Sequence, residues 1–179
     1  MNPAISSFVS DRFYRPRGIK LVSALNTNAN LIDEPIIEYI ECSCPGATDE
    51  NEAEAVAAVN SAKKFLNHGI STRRLAIITP YRRQVRLTHK LLRMAMSEDA
   101  DLPLVDTVER LQGQDVDVII LTFAVDDGDF FRAQRDFVLN PNRLNVMFSR
   151  ATSKVVVVSS GIVRKGLDEL SHKTLGTKG

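Results

Sequence analysis

Short apolar runs alternate with amphipathic stretches along most of the sequence. The apolar runs have the length of strands, and they predict strands at residues 35–42, 74–79, 104–107, 116–124 and 154–159. The run at 116–124 is nearly continuous in apolar residues, which is typical of a parallel strand buried on both faces. Pro80, which has no amide hydrogen to donate to a sheet, ends the second run.

The stretches between the strands have helical spacing. Val56, Val59, Ala62 and Leu66 lie three or four positions apart, and Gly69 follows them where a helix C-cap is expected. Similar spacing predicts helices at residues 82–96, 140–151 and 163–171. Strands that alternate with helices over 179 residues predict one α/β domain with a mostly parallel central sheet. We expect a mobile loop at 126–135 and a frayed tail from residue 174 onward.

Composition restricts the class of protein. No apolar run approaches the roughly 18 residues that a membrane-spanning helix needs, and the first residues lack the pattern of a secretory signal. Cys42 and Cys44 are one residue apart, which is too close for an ordinary disulfide, and two cysteines are too few for a zinc site. We therefore expect a reduced, intracellular (cytoplasmic) protein with no metal site of its own.

Charge is unevenly distributed, although the formal net charge is only +1. Residues 21–62 contain eight acids and no Lys or Arg, whereas residues 73–97 contain seven bases and no acid. Two differently charged solvated surfaces would give this pattern, and so would a polarised domain that turns one face to phosphate. Four bases at helical spacing form either part of a nucleic-acid path or a lateral solvated face: Arg83, Arg86, Lys90 and Arg93.

Three polar segments, at residues 77–84, 105–115 and 142–151, are the candidates for binding chemistry. We expect all three at the carboxyl ends of strands, where parallel α/β folds bind their ligands. All three also have simpler interpretations, and for the two arginines of the third segment, Arg143 and Arg150, it is a solvated helix surface. Thr79-Pro80 could be only a strand terminator, and Gln112-Gly113 only a turn in which glycine supplies a positive φ.

The third segment indicates an anion site more directly. Arg143 and Arg150 are seven residues apart and therefore lie on one side of a helix, and most of their neighbours are apolar. An arginine in largely buried surroundings is costly unless it meets an anion. Its planar fork fits two phosphate oxygens and keeps its charge at any working pH. The segment thus predicts a buried helix with a narrow polar edge that presents guanidinium groups to phosphate.

In this order and spacing, the segments resemble motifs IV, V and VI of superfamily 1 helicases, in the subfamily of the nonsense-mediated-decay helicase and its bacterial and viral relatives. The resemblance rests on Thr-Pro-Tyr-Arg at 79–82, Gln-Gly-Gln-Asp at 112–115 and Arg-Leu-Asn-Val-Met-Phe-Ser-Arg-Ala at 143–151. Met-Asn-Pro-Ala-Ile-Ser at 1–6, with Phe13-Tyr14, resembles the stretch after motif III, and Asn-Glu-Ala-Glu-Ala-Val at 51–56 resembles a helix start of the family.

The resemblance implies a fold and its boundaries. The fold would be a three-layer RecA-like (P-loop NTPase-like) domain, the second of the two motor domains of a helicase. Residues 1–160 would carry the motifs, and residues 161–179 would form a C-terminal helix and tail of the same domain.

The resemblance also implies roles for single residues. Arg150 would be the arginine finger that reaches the γ-phosphate of ATP, and Arg143 would brace the cleft or sense the nucleotide. Gly113 and Asp115 would approach the nucleotide, and Gln112 would couple that site to nucleic acid. The sugar–phosphate backbone of single-stranded DNA or RNA would be contacted by Thr79, Pro80 and Thr107.

The sequence departs from the family at several points. It lacks the Gly-x-x-x-x-Gly-Lys-Ser/Thr P-loop that cradles phosphates. ATP and Mg²⁺ would then be bound mainly by a first RecA-like domain in the same parent chain, and we expect this piece alone to have no ATPase activity. The family commonly has the longer Glu where Asp115 stands and Thr where Ser149 stands. It also has a tyrosine-arginine pair before the residue that aligns with Met1.

Two other functions remain open at this point. The domain could be a degenerate RecA-like module that binds nucleic acid or protein without motor activity. It could also be a free-standing enzyme that binds a nucleotide through Asp126 and Asp127, which follow the 116–124 strand as a magnesium-binding Walker B ending would. A solvated loop is the simpler interpretation of that pair.

Overall fold

One parallel sheet forms the centre of the domain. The computed structural model describes Ile5, Ser7 and residues 36–97, 99–111 and 115–175, with side chains in the last helix described as far as residue 170. Within these residues the strand order is β1-β5-β4-β2-β3, and every pair is parallel. The strands are β1 (Ile37–Glu41), β2 (Leu75–Ile78), β3 (Leu104–Asp106), β4 (Val116–Thr122) and β5 (Ala151–Ser159).

Helices cover both faces of the sheet. They are α1 (Glu52–Asn67), α2 (Arg82–Ala95), α3 (Gly128–Val138), α4 (Pro141–Ser149) and α5 (Gly161–Leu175). Phe65 of α1 and Leu92 of α2 pack with Ile120 on one face, whereas Phe148 of α4 packs with Ile119 on the other. Because both faces are buried, β4 is apolar at almost every position, as expected. The predicted three-layer α/β sandwich is confirmed.

The first helix begins and ends as its sequence predicts, but its buried face differs. Gly69 has a φ of +91° and donates its amide to Leu66 O at 3.0 Å, the bond of a helix C-cap. The predicted apolar face is wrong at Val56, because that side chain is 42% exposed, but Val59 and Ala62 are buried as predicted. Ala55 and Ala58 are also buried, and these small side chains allow close packing.

The expectation of a mobile loop at 126–135 is also wrong, because most of this segment is α3. Asp127 caps the helix by accepting a hydrogen bond from Phe130 N at 2.7 Å. Phe131 and Val138 then bury the inner face of α3 against the sheet. At the other end of the domain, α5 continues to Leu175, past the expected start of the frayed tail, and residues 176–179 lie outside the described residues.

Gly166 lets α5 approach the connection after α3, and we expect Gly166→Ala to destabilise the domain by about 1–2 kcal/mol. An added Cβ would lie 2.6 Å from Phe131 Cζ and 2.7 Å from Leu139 Cδ1, and both side chains are buried. The free-energy cost of this crowding exceeds the roughly 1 kcal/mol by which alanine is favoured over glycine in a helix. Gly128→Ala is the control, because its Cβ would meet only Arg132 at 3.7 Å. Urea unfolding followed by circular dichroism measures both, and equal stability of the two variants would contradict the prediction.

Candidate functional site

The candidate residues lie at opposite ends of the parallel strands. Some lie at the amino edge of the sheet, where the strands begin, and others at the carboxyl edge, where the strands end. Val116 pairs with Ala151 at the start of β4 and β5, so Asp115 and Arg150 lie at the amino edge. Thr79 and Thr107 instead follow β2 and β3 at the carboxyl edge, about 20 Å away at the usual rise per residue. The expectation that all three segments lie at carboxyl ends is therefore wrong for Asp115, which precedes the amino end of β4, and for Arg150, which precedes the amino end of β5.

Arg150 occupies the junction between α4 and β5. It is the C-cap of the helix, and its carbonyl accepts a hydrogen bond from Val116 N at 3.0 Å, which fixes its backbone to β4. Its Nη1 lies 3.2 Å from Asp115 Oδ1. The side chain is 34% exposed, while its Nε is buried and has no acceptor among the described residues. A buried donor without an acceptor costs about 1–3 kcal/mol, so this group is well suited to meet an anion.

An irregularity at the start of β5 helps to fix this junction. The register between β4 and β5 shifts after Val116, as in a β-bulge. Asp117 lies inside the shift, accepts a hydrogen bond from Thr152 Oγ1 at 2.8 Å and forms a salt bridge with Arg74. Burial opposes its ionisation, but these hydrogen bonds hold the pKa of Asp117 below its ordinary value. The ionised side chain thus connects three segments at the amino edge.

Arg143 lies in the first turn of the same helix, near the carboxyl edge. Its Nη2 is 3.0 Å from Glu109 Oε1, and its guanidinium carbon is 4.3 Å from the centre of the Phe137 ring. Burial opposes ionisation of Glu109, but hydrogen bonds from Thr107 and Arg143 lower its pKa. Arg143 is therefore linked to Thr107 through one carboxylate. The predicted buried helix with a narrow polar edge is confirmed.

The proposed nucleic-acid contacts have different accessibilities. The Thr79 hydroxyl is fully buried and has no hydrogen-bond partner among the described residues. The Thr107 side chain is also buried and is engaged with Glu109. Pro80 is partly exposed. A nucleic-acid strand that crosses the carboxyl edge would therefore reach Pro80 directly, and it would reach the hydroxyls of Thr79 and Thr107 only after a local rearrangement.

Tyr81 fixes the segment that follows Pro80. Its ring contacts Phe130 and Phe137 at centroid distances of 6.2 and 5.4 Å. Burial, with a smaller contribution from Asp49, raises the pKa of its hydroxyl to about 12. This aromatic cluster connects the start of α2 to α3.

Some candidate residues lie outside the described residues. They include Gln112 and Gly113 of the second segment and most of the 1–6 and Phe13-Tyr14 resemblance. Ile5 is described, and it is fully buried in the core on the α3–α5 face. Asp115, the last residue of the second segment, is described, and its side chain is 63% exposed.

Glu54 is a buried carboxylate that inspection of the sequence missed. Its Oε2 accepts hydrogen bonds from Phe123 N at 2.7 Å and Ala124 N at 2.9 Å, at the carboxyl end of β4. There Ala124 has a φ of +66°, in the left-handed region. Burial raises the pKa of Glu54 to about 7, against the lowering effect of these hydrogen bonds.

The available sequence signal for Glu54 is the Asn-x-x-Glu spacing of a capping box. Asn51 Oδ1 does accept from Glu54 N at 3.0 Å. The backbone N–H of Asn51 donates to Gln84 Oε1 at 2.7 Å and not to Glu54, so the reciprocal bond of a capping box is absent within the described residues. The Asn51 side-chain amide donates to Glu54 Oε1 at 3.3 Å, and Glu54 Oε2 binds the end of β4.

Asp126 and Asp127 have structural roles. Asp126 Oδ2 accepts from Cys44 N at 2.7 Å and from Ser43 Oγ at 3.3 Å, and Asp127 caps α3. The interpretation as a freely solvated loop is wrong for this pair. Both carboxylates are engaged, and the described residues contain no group of three or more His, Cys, Asp or Glu that could hold a metal.

Cys42 and Cys44 are both free thiols, and burial raises the pKa of Cys42. None of the helices in the described part of the chain is long and apolar enough to cross a membrane.

The three-layer sandwich on a five-stranded parallel sheet is that of a RecA-like domain. It is similar to the crystal structure of the C-terminal domain of a possible DNA helicase from Lactobacillus plantarum, with a TM-score of 0.58 and 16% identity over 97% of this chain and 94% of that one. The AAA_12 family model, an AAA domain, matches residues 1–161, and the chain belongs to this family.

The chain is also similar in sequence to two longer proteins, one a helicase/nuclease and the other a regulator of nonsense transcripts. The chain is 30% identical over 125 residues to the DNA replication ATP-dependent helicase/nuclease dna2 of Schizosaccharomyces pombe, covering 69% of this chain and 8% of that protein. It is 25% identical over 178 residues to the regulator of nonsense transcripts 1 homolog of Arabidopsis thaliana, covering 89% of this chain and 14% of that protein. The resemblance to this helicase group is confirmed, and the chain spans only a small part of these relatives.

Proposed function

We propose that this chain is the second motor domain of an ATP-dependent DNA or RNA helicase, and that it supplies the arginine finger and part of the single-strand track. The observation that carries the proposal is Arg150 at the amino edge. Its guanidinium is held in place by α4 and β4, is partly exposed, and has a buried Nε without an acceptor among the described residues. Homology to helicases supports the same role.

The pairing of Arg150 with Asp115 is consistent with later binding of phosphate. Exposed ion pairs contribute only about 0–1 kcal/mol, so a phosphate could displace the well-exposed Asp115 at little cost. Phosphate would also offer an acceptor to Nε, which Asp115 does not satisfy. Asp115 would thus hold the guanidinium in position until nucleotide arrives, in addition to the nucleotide contact that the family resemblance implies.

ATP with Mg²⁺ would supply the phosphoryl group, bound mainly by a first RecA-like domain that carries the P-loop. The residues of this chain fit that division, because its sequence has no P-loop while the amino edge offers a positively charged donor. Arg150 would stabilise the charge that develops on the transferred group, and Arg143 would brace the far end of α4 against Glu109. Gly113 and Gln112 keep the nucleotide and coupling roles that the family resemblance implies.

Single-stranded nucleic acid would lie at the carboxyl edge, over Pro80 and near Thr79 and Thr107. Pro80 is the most accessible member of this group, and short hydroxyl side chains suit contacts to a sugar–phosphate backbone that do not depend on sequence. The modest net charge fits a motor that must release its track at each step.

We expect the 179-residue chain alone to hydrolyse no ATP above background, because no P-loop positions the phosphates. The same chain joined to a P-loop-bearing first domain should hydrolyse ATP and respond to single-stranded oligonucleotide. A coupled assay of phosphate release measures both proteins under identical conditions. Turnover by the chain alone that disappears in an Arg150→Ala variant would mean that hydrolysis requires no partner domain.

A further inference from the structure

The exposed face of α2 carries a continuous row of positive charge. Arg82, Arg86 and Lys90 follow one another at four-residue intervals and are all exposed, so they form one line along the helix. This line is about 12 Å long at the rise of an α-helix. Two further exposed bases, Arg83 and Arg93, lie beside it.

Acidic groups leave this row largely unneutralised. Among the described residues no carboxylate forms a salt bridge with Arg82, Arg86 or Lys90, and α2 contains no acidic residue. Arg83 contacts Asp49 at 3.5 Å, and its side chain is still 58% exposed. Within the part of the chain that the structure describes, the row is therefore a positive surface and not one half of an internal ion-pair network.

The row also destabilises the helix that carries it. Like charges four residues apart each cost a few tenths of a kcal/mol. Arg82 and Arg83 stand at the positive end of the helix dipole, where acids are favoured, and Tyr81 provides no side-chain cap. An anionic partner would relieve both effects, so the charge pattern fits a bound polyanion better than it fits an isolated helix.

We infer that this face binds the sugar–phosphate backbone of the nucleic-acid strand as the strand leaves the carboxyl edge. The inference rests on the proposed function and extends the strand path beyond Pro80. The row begins two residues after Pro80, so the two surfaces are continuous. Evenly spaced single charges without a pocket suit regularly spaced phosphates and sequence-independent contact.

The experiment measures binding of fluorescent 20-nucleotide dT and rU strands to this chain by anisotropy at several salt concentrations. The test variant combines Arg82→Gln, Arg86→Gln and Lys90→Gln, and glutamine keeps the helix propensity. The control variant makes the same change of charge at exposed lysines elsewhere: Lys63→Gln, Lys64→Gln and Lys165→Gln. Circular dichroism and thermal unfolding confirm that both variants are folded.

We expect the test variant to bind more weakly, and the slope of log K against log salt to fall by about 2, because each lost phosphate contact contributes about 0.7 for a single strand. The control variant should keep the slope of the unmodified chain. Equal slopes in all three proteins would overturn this inference and leave the proposed function standing. Absence of any binding by the unmodified chain at low salt would overturn the inference and the nucleic-acid part of the proposed function together. If poly-glutamate competed as well as the oligonucleotide, the face would be a site for an acidic protein segment, and the inference would be wrong.

Discussion

Replacing Arg150 with Ala in a protein that joins this chain to its P-loop-bearing first domain is expected to reduce kcat for ATP hydrolysis at least a hundredfold, and by up to the roughly 10³–10⁵ that arginine fingers contribute. Nucleotide affinity should change much less, because the guanidinium acts mainly on the charge of the transition state. Steady-state kinetics at saturating oligonucleotide gives kcat, and titration with a fluorescent nucleotide gives Kd.

Two further variants separate this role from a general loss of charge. Arg150→Lys keeps the charge but loses the fork and Nε, so we expect it to recover only a small part of kcat. Arg132→Ala is the matched control, since that side chain is 74% exposed and pairs with Asp129 on α3. A kcat close to the normal value in Arg150→Ala would remove the finger assignment.

The second large effect concerns the buried Glu54 and the pH dependence of stability. Its pKa rises from 4.5 to about 7 on folding, so between these values the folded state holds a proton that the unfolded state has released. Stability attributable to Glu54 is therefore highest below pH 4.5 and falls as pH rises to 7, by about 3 kcal/mol in total. Burial is the cause, because it disfavours the charged form more than the hydrogen bonds from Phe123 and Ala124 favour it.

This contribution can be isolated by comparison with Glu54→Gln, which cannot titrate. The free energy of unfolding, measured with urea from pH 4.5 to 7.5, should fall for the unmodified chain relative to this variant across the range. Glu52→Gln removes a charge from the same helix turn at an exposed position and should leave the fall intact. A constant difference between the unmodified chain and Glu54→Gln would show that Glu54 titrates at its ordinary pKa.

The fold was predictable because its strands are apolar on both faces. The run at 116–124 could hardly be anything but a central parallel strand, and β4 is one. The error at α3 arose from composition, because aspartates and a glycine are common in loops. The same Asp127 is also a favourable N-cap, and the burial of Phe131 decides between the two.

The position of the arginines was predictable in part. Their common side on one helix is the prediction that follows from the seven-residue spacing, and the structure gives them separate partners, Glu109 and Asp115. The edge of Arg150 was assigned wrongly, although chain geometry decides it. The connection between two parallel strands must return to the amino edge, so the last residue of the returning helix, Arg150, arrives there.

The environment of Glu54 was not predictable from its neighbours in the chain. Its carboxylate binds amides about 70 positions away, and that contact depends on how α1 sits over the end of β4. Only the assembled tertiary structure shows that this acid is buried. The Val56 error has the same origin, because the rotation of α1 about its axis is set by packing.

The nine residues of α4 form a rigid rod whose two ends are fastened to different edges of the sheet. Arg143 is attached to the Glu109–Thr107 pair at one end, and Arg150 is attached to Asp115 and β4 at the other, about 10 Å further along the axis. A rod of this kind cannot move at one end alone. Any pull that draws Arg150 toward a ligand must shift or tilt Arg143 against the threonine at the opposite edge, so the two edges cannot respond independently.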